Sequence, residues 1–133
     1  MARKPRLTPA EWQIMEVVWE LGGSPSVRDV LERAFPKGEK AYTTVQTVMN
    51  TLEKKGLLRH RKVGLVNFYQ PTRTREALLK AEMSSLVTRV FRGSIPAVAN
   101  TLLELDDLDL EEIRQIKALV DRKERQLEGD DHD

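Results

Sequence analysis

The stretch Ala41-Tyr-Thr-Thr-Val-Gln-Thr-Val-Met-Asn-Thr-Leu-Glu-Lys-Lys55 decides how the rest of the chain is interpreted. Its apolar residues recur three and four positions apart, so they share one face of a helix. Gly56 follows the last lysine, and glycine is a common helix end. We therefore predict a short helix over residues 43–55 whose buried face consists of Val45, Val48, Met49 and Leu52.

The opposite face of this helix carries hydroxyls and amides where an ordinary solvated face would carry Glu and Lys. Such side chains hydrogen-bond base edges in the major groove of DNA, or phosphate oxygens. The pattern favours a DNA recognition helix, although a Thr-rich surface helix would show it too, and the flanking segments decide between them. The polar side chains are Thr43, Gln46, Thr47, Asn50 and Lys54.

Charge is divided unequally between the two halves of the chain. Residues 1–75 hold 14 Lys and Arg against 7 Asp and Glu, whereas residues 76–133 hold 8 against 14. A basic half beside an acidic half indicates a nucleic-acid surface on the first, although two ordinary solvated surfaces would give the same count.

Composition limits the class of protein. A chain of 133 residues, 40% of them hydrophobic, makes one domain or one domain with an appendage. The lack of cysteine excludes disulfides and thiolate chemistry and suits a reducing cytosol. Because no apolar run is long enough for a membrane span or a signal peptide, we expect a soluble cytoplasmic protein without a membrane partner.

The segment before the recognition helix completes a helix-turn-helix. Residues 8–11, Thr-Pro-Ala-Glu, form a capping box that opens a first helix, and both tryptophans of that helix are predicted to be core residues. Ser26 caps a second helix over residues 27–34, and residues 35–40 connect it to the recognition helix.

The segment after the recognition helix predicts two strands around a turn near Gly64. A helix-turn-helix followed by such a hairpin is a winged helix, and we expect the wing, with a basic tip, to lie on the sugar-phosphate backbone. The candidate phosphate contacts are Arg59, Arg61 and Lys62, with Arg6 in the N-terminal arm. No metal or cofactor site is predicted, because His60 has no second ligand nearby.

Three amphipathic helices are predicted in the C-terminal half. Their apolar stripes are more than about 60 residues can cover alone, so we expect a homodimer; folding back onto the first half as a monomer is the alternative. The predicted interface contains Met83, Leu86, Val90, Leu102, Ile113, Ile116 and Val120. The predicted fold is mainly α with a small β-wing: a winged-helix domain (1–72), a helical dimerisation domain (73–128) and an acidic disordered tail (129–133).

With these elements placed, the sequence resembles the penicillinase-repressor family of bacterial regulators (BlaI/MecI/CopY). The resemblance rests on residues 7–15 with Trp19, on residues 42–57 and on Phe68-Tyr69 of the wing. It implies a dimeric winged-helix repressor on a palindromic operator. It also implies that recognition-helix contacts are made by Thr43, Thr44, Gln46, Thr47 and Asn50.

Three departures limit what the resemblance implies. Thr51 stands where several members carry Arg, so a DNA contact differs there. β-Lactam-responsive members are cleaved between Asn and Phe in the fifth helix, whereas the matching pair here is Asn100-Thr101, which leaves a regulatory protease as an open partner. The copper-sensing branch uses C-terminal cysteines, and this chain has none.

The resulting hypothesis is a homodimeric transcriptional repressor that binds double-stranded operator DNA. Most of its non-specific affinity is expected from Lys54, Lys55, Arg59, Arg61 and Lys62. The alternative is a winged-helix adaptor that binds an acidic protein partner. An enzyme is not predicted, because we find no carboxylate pair in an apolar setting, no glycine-rich phosphate loop and no nucleophile with a candidate base.

Overall fold

The computed structural model describes residues 6–130, which form six helices and one two-stranded antiparallel sheet. This order confirms the prediction of a mainly helical winged-helix fold with further C-terminal helices. None of the helices in this range is both long and apolar enough to cross a membrane. The elements are α1 Pro9–Leu21, α2 Val27–Ala34, α3 Tyr42–Lys54, β1 Leu58–Val63, β2 Val66–Pro71, α4 Arg75–Phe91, α5 Ile95–Leu103 and α6 Leu110–Asp130.

The chain divides into two compact units, and the boundary lies inside α4, between Ser85 and Leu86. The start of α4 belongs to the first unit because Leu78 is fully buried in that unit's core. The predicted division at residue 72 is one between two expected functions, DNA binding and dimerisation, and it stays a prediction.

Local sequence signals position the helices of the first unit. Thr8 forms both bonds of the predicted capping box with Glu11, and Ser26 forms a second box with Asp29 that the sequence analysis did not identify. The core lies between α1, α2, α3, the hairpin and the start of α4. Its members are Ile14, Met15, Val17, Val18, Val27, Val30, Val45, Met49, Leu52, Leu57, Leu58, Tyr69 and Leu78, with Trp12 and Trp19 packed against them half-buried.

The hairpin pairs β1 and β2 antiparallel from Leu58 opposite Pro71 to Val63 opposite Val66. Gly64 turns the chain at φ +63, a conformation that L side chains rarely adopt. The linker before α2 adds a short third segment, because Ser26 bridges β2 and the Pro25 carbonyl accepts a hydrogen bond from the Tyr69 N–H at 2.9 Å.

The prediction of a basic wing tip is wrong. The turn residue Leu65 is 96% accessible, and its neighbours Val63 and Val66 are also exposed. The cations precede the turn, within β1, because the turn itself is formed by Gly64 and Leu65. The wing therefore presents basic sides and an apolar tip.

The second unit contains the end of α4 with α5 and α6. Ser94 caps α5, with Pro96 in the first turn, and Asp109 and Glu112 form the predicted capping box of α6 with bonds of 3.1 and 2.8 Å. Helix α6 continues to Asp130, so the prediction that residues 129 and 130 belong to a disordered tail is wrong. The rest of the predicted tail, residues 131–133, lies outside the described part of the chain.

Candidate nucleic-acid interface

Helix α3 divides into a buried face and an exposed polar face. Val45, Met49 and Leu52 are at most 1% exposed, and Val48 is half-buried, as the sequence pattern predicted. The structure brings the predicted contact residues together on the other side. Gln46 is half-buried, and the exposed residues are Thr43, Thr44, Thr47, Asn50 and Lys54.

Two hydroxyls on α3 already donate their protons to the helix backbone. Thr47 Oγ1 donates to the Thr43 carbonyl at 2.8 Å, and Thr51 Oγ1 donates to the Thr47 carbonyl at 3.0 Å. In this geometry Thr47 presents oxygen lone pairs and a methyl group outward. It is therefore suited to accept from a base amino group or to contact a thymine methyl.

The first turn of α3 has features that the sequence analysis missed. Its cap residue, Ala41, makes no side-chain hydrogen bond, and the turn contains no acidic residue. The guanidinium of Arg28, on α2, lies 5.3 Å from the ring centre of Tyr42. The N–H groups at the start of α3 thus have no side-chain cap, and the positive charge of Arg28 lies next to Tyr42 in the same turn. Both features favour the binding of an anion such as phosphate. In the sequence, the signal for this uncapped helix start is Ala41, which occupies the capping position and has no side chain that could accept a hydrogen bond.

The wing is joined to α3 by polar contacts. Glu53, the one carboxylate in α3, approaches Nδ1 of His60 at 2.7 Å, and the His60 ring lies 5.5 Å from that of Tyr69. The Tyr69 hydroxyl donates to Oδ1 of Asn50 at 3.3 Å. Burial raises the pKa of Tyr69, and the Glu53 charge adds to this, so the hydroxyl stays a donor. His60 therefore contacts Glu53 and Tyr69 and joins the wing to α3.

The predicted wing cations lie on two different faces of the hairpin. Alternation along β1 places Arg59 and Arg61 on one face, opposite Gln70 and Phe68 of β2. Lys62 shares the other face with His60, which is the face that contacts α3. The wing can therefore neutralise phosphate on both of its sides.

The structure does not support Lys55 as a free DNA contact. Its Nζ lies 2.7 Å from Oε1 of Glu11 and 2.7 Å from the carbonyl oxygen of Arg6. Glu11 is buried, so Lys55 neutralises an internal charge. The Arg6 residue is exposed, whereas Arg3 and Lys4, the rest of the basic arm, lie outside the described residues.

None of the seven predicted dimer residues is buried within the chain. Met83, Val90, Leu102 and Val120 are 44–60% exposed, and the other three, Leu86, Ile113 and Ile116, are half-buried. The candidate cleavage pair, Asn100 and Thr101, is exposed on α5.

Comparison with known proteins shows the family of this chain. A family model described as penicillinase repressor matches residues 7–122. The chain belongs to the penicillinase repressor family. This confirms the resemblance inferred from the α1, α3 and wing motifs, and the family is made up of transcriptional repressors.

Relatives of this family member match over most of its length. The penicillinase repressor of Bacillus licheniformis is 29% identical over 129 residues, covering 96% of this chain and 100% of the relative. The methicillin resistance regulatory protein MecI of Staphylococcus aureus is 22% identical over 118 residues, covering 88% and 94%. The solution structure of the DNA binding domain of the repressor BlaI superposes with a TM-score of 0.50 at 31% identity, covering 56% of this chain and 90% of that domain.

Proposed function

We propose that this chain is a DNA-binding transcriptional repressor that acts as a homodimer on a palindromic operator. Each protomer places α3 in the major groove and its wing on the flanking backbone. The observation that carries the proposal is the exposed face of α3. It is lined by hydroxyls, amides and a lysine, and the helix's one carboxylate, Glu53, is turned to the wing. Family membership and the likeness to a repressor's DNA-binding domain support it, and they do not favour the adaptor.

Two kinds of side chain divide the work of binding. Gln46, Thr47 and Asn50 lie on the polar side of α3, so they are proposed to contact base edges and select sequence. The exposed cations Lys54 of α3 and Arg59, Arg61 and Lys62 of β1 are proposed to neutralise phosphates. Thr43 and Thr44, in the first turn of α3, are proposed to contact the DNA backbone.

The second unit is proposed to join two copies of the chain. In the described part of α5 and α6 not one residue is buried, although Ile113, Ile116 and Val120 form an apolar stripe on α6. A second copy would cover this stripe and set the spacing of the two half-sites. That spacing is expected near one turn of DNA, about 34 Å, or a multiple of it.

The dimer is proposed to repress by occupying the promoter, without a catalytic step, in the compartment that holds the DNA, the cytoplasm. The proposed site for a regulatory protease, as an off-switch, is the Asn100–Thr101 bond. The bond lies within α5, and Asn100 Nδ2 donates to Glu104 Oε1 at 3.2 Å, so cleavage would require the end of this helix to unfold.

Selection of duplexes from a randomised pool tests the proposed function. The full chain is expected to enrich two inverted half-sites, and the enriched duplex should bind better than a scrambled one at every salt concentration. Specific sites are typically preferred by a factor of about 10³ or more. A chain that gel-shifts no sheared DNA at low salt would point to the adaptor, and enrichment of no sequence would exclude operator recognition.

A further inference from the structure

Glu11 is the one charged residue in the buried set of the described chain, at 4% exposed. A buried carboxylate is costly unless it is paired and fully hydrogen-bonded. Here Oε1 accepts from the Thr8 N–H at 2.7 Å and from Lys55 Nζ at 2.7 Å. The first bond belongs to the capping box of α1, but the second reaches a residue 44 positions away.

The ionisation of Glu11 fits this arrangement. Burial alone would raise its pKa, but the hydrogen bond from Lys55, those from Thr8 and the charge of Lys55 together hold the pKa below its ordinary value. The carboxylate is therefore charged at neutral pH and holds the ammonium of Lys55 in place.

The same ammonium makes a second bond that the capping of α1 does not require. Lys55 Nζ donates to the Arg6 carbonyl oxygen at 2.7 Å. Lys55 is the residue that follows α3, and Arg6 lies three positions before α1 begins. One side chain thus ties the Arg6 backbone to the C-terminal end of the recognition helix. The Arg6 residue itself is exposed.

We propose that Lys55 is a positioning residue which, anchored by Glu11, holds the Arg6 backbone beside the end of α3 so that Arg6 contacts a phosphate of the DNA that α3 reads. The inference rests on the proposed function. Without this bond the Arg6 backbone would move freely. Arg6 would then have to become ordered when DNA binds, at an entropic cost. Lys55 then contributes to DNA affinity through Arg6, not by touching DNA.

A first experiment needs no DNA, so it separates this inference from the proposed function. Trypsin cleaves after Arg6 only when the backbone there leaves its bound position. Lys55→Met is expected to speed the appearance of the product that begins at Leu7, measured by mass spectrometry. Lys54→Met is the matched control: it removes a neighbouring exposed lysine and should leave that rate unchanged.

A variant that keeps the shape of the buried group guards against misfolding of Lys55→Met. Glu11→Gln retains an oxygen for the Thr8 N–H but loses the charge that anchors Lys55. It is expected to speed cleavage after Arg6 in the same direction. If neither variant changes that rate relative to cleavage elsewhere in the chain, the positioning role is excluded, whatever the protein does with DNA.

A second experiment uses the enriched duplex and a double-mutant cycle. Arg6→Ala and Lys55→Met are each expected to flatten the slope of log K against log salt by about 0.9, the contribution of one phosphate. The double variant should bind within about twofold of either single variant, because both remove the same contact. Base preference should not change in any of them.

The control in this cycle is again Lys54→Met. It is expected to flatten the slope independently, so its effect should add to that of Arg6→Ala. If Lys55→Met also flattened the slope further in the Arg6→Ala background, Lys55 would contact phosphate directly, and the positioning inference would be wrong. If Arg6→Ala left the slope unchanged, Arg6 would not contact phosphate, and this result would also contradict the positioning inference.

Discussion

The two units of this repressor use apolar residues in opposite ways. In the first unit thirteen hydrophobic side chains are buried in one core, including Met49 and Leu52 of α3 at 0% exposure. In the second unit, among residues 86–130, no residue is buried, and Leu119, Val120 and Leu127 of α6 are each more than 50% exposed. Within a single chain, therefore, the first unit has a buried core, whereas no side chain of residues 86–130 is buried.

On the proposed function this difference separates stability from assembly. The first unit has a packed core that holds the exposed face of α3 in shape before it meets DNA. The apolar surface of the second unit is proposed to be covered by a copy of the chain, since large exposed apolar patches promote association. The same kind of leucine should therefore matter differently in the two units.

Truncating one leucine in each unit tests that difference most strongly. Leu52→Ala is expected to lower the free energy of unfolding by about 2–5 kcal/mol, because it opens a cavity in a fully packed core. Measured on the monomer, at protein concentrations too low for the proposed dimer, Leu119→Ala should change it by about 0.5 kcal/mol or less, since this side chain is 54% exposed within one chain. Denaturant titration followed by tryptophan fluorescence measures both. Equal losses would mean that the second unit has a core of its own.

Placing a charge on the apolar stripe tests what covers it. Ile116→Asp or Leu86→Asp is expected to give monomers on a sizing column and weaker operator binding, because a buried carboxylate at the interface would be unpaired. Lys117→Asn, next to Ile116 but exposed, should leave the dimer intact. A wild-type chain that is monomeric at micromolar concentration would contradict the dimer directly.

Within the first unit, substitutions on the exposed face of α3 are expected to change sequence preference, whereas substitutions in the wing are expected to change affinity for all DNA. Gln46→Ala or Asn50→Ala should change base preference by about 1–3 kcal/mol at one position of each half-site. Arg61→Ala should weaken binding to every duplex and flatten the salt slope by about 0.9. Titrations of the enriched and scrambled duplexes at several salt concentrations measure both. An altered preference with an unchanged slope in Arg61→Ala would reverse the assignment.

The sequence predicted what depends on neighbouring residues. The capping box of residues 8–11, the two strands and the start of α6 follow from local spacing, and the structure shows each of them. Helix α3, predicted over residues 43–55, spans Tyr42–Lys54, so its end before Gly56 was predicted to within one residue. The polar face of α3 was predicted for the same reason, because a helical period alone assigns residues to a face.

Contacts between distant residues could not be predicted in this way. Nothing near Lys55 in the chain indicates that its partner is Glu11, and nothing near Asn50 indicates the hydroxyl of Tyr69. The prediction of a basic wing tip was wrong because it too depended on spatial arrangement. Counting cations in residues 59–62 does not show that the turn residue Leu65 is 96% exposed.

The smallest expected effect is a pH dependence confined to the first unit. Because the pKa of Glu11 is lowered in the folded chain, its pairing stabilises the fold fully above the carboxyl's unfolded pKa. That contribution is lost as the pH falls through the folded value. Glu11→Gln removes the titrating group, so its stability should fall less steeply than that of the wild type between neutral and acid pH. Denaturant midpoints of both proteins across that range measure the difference. Parallel curves would mean that Lys55 and Thr8 do not favour the charged form of Glu11, and that the contact between α1 and the end of α3 is weaker than its distances indicate.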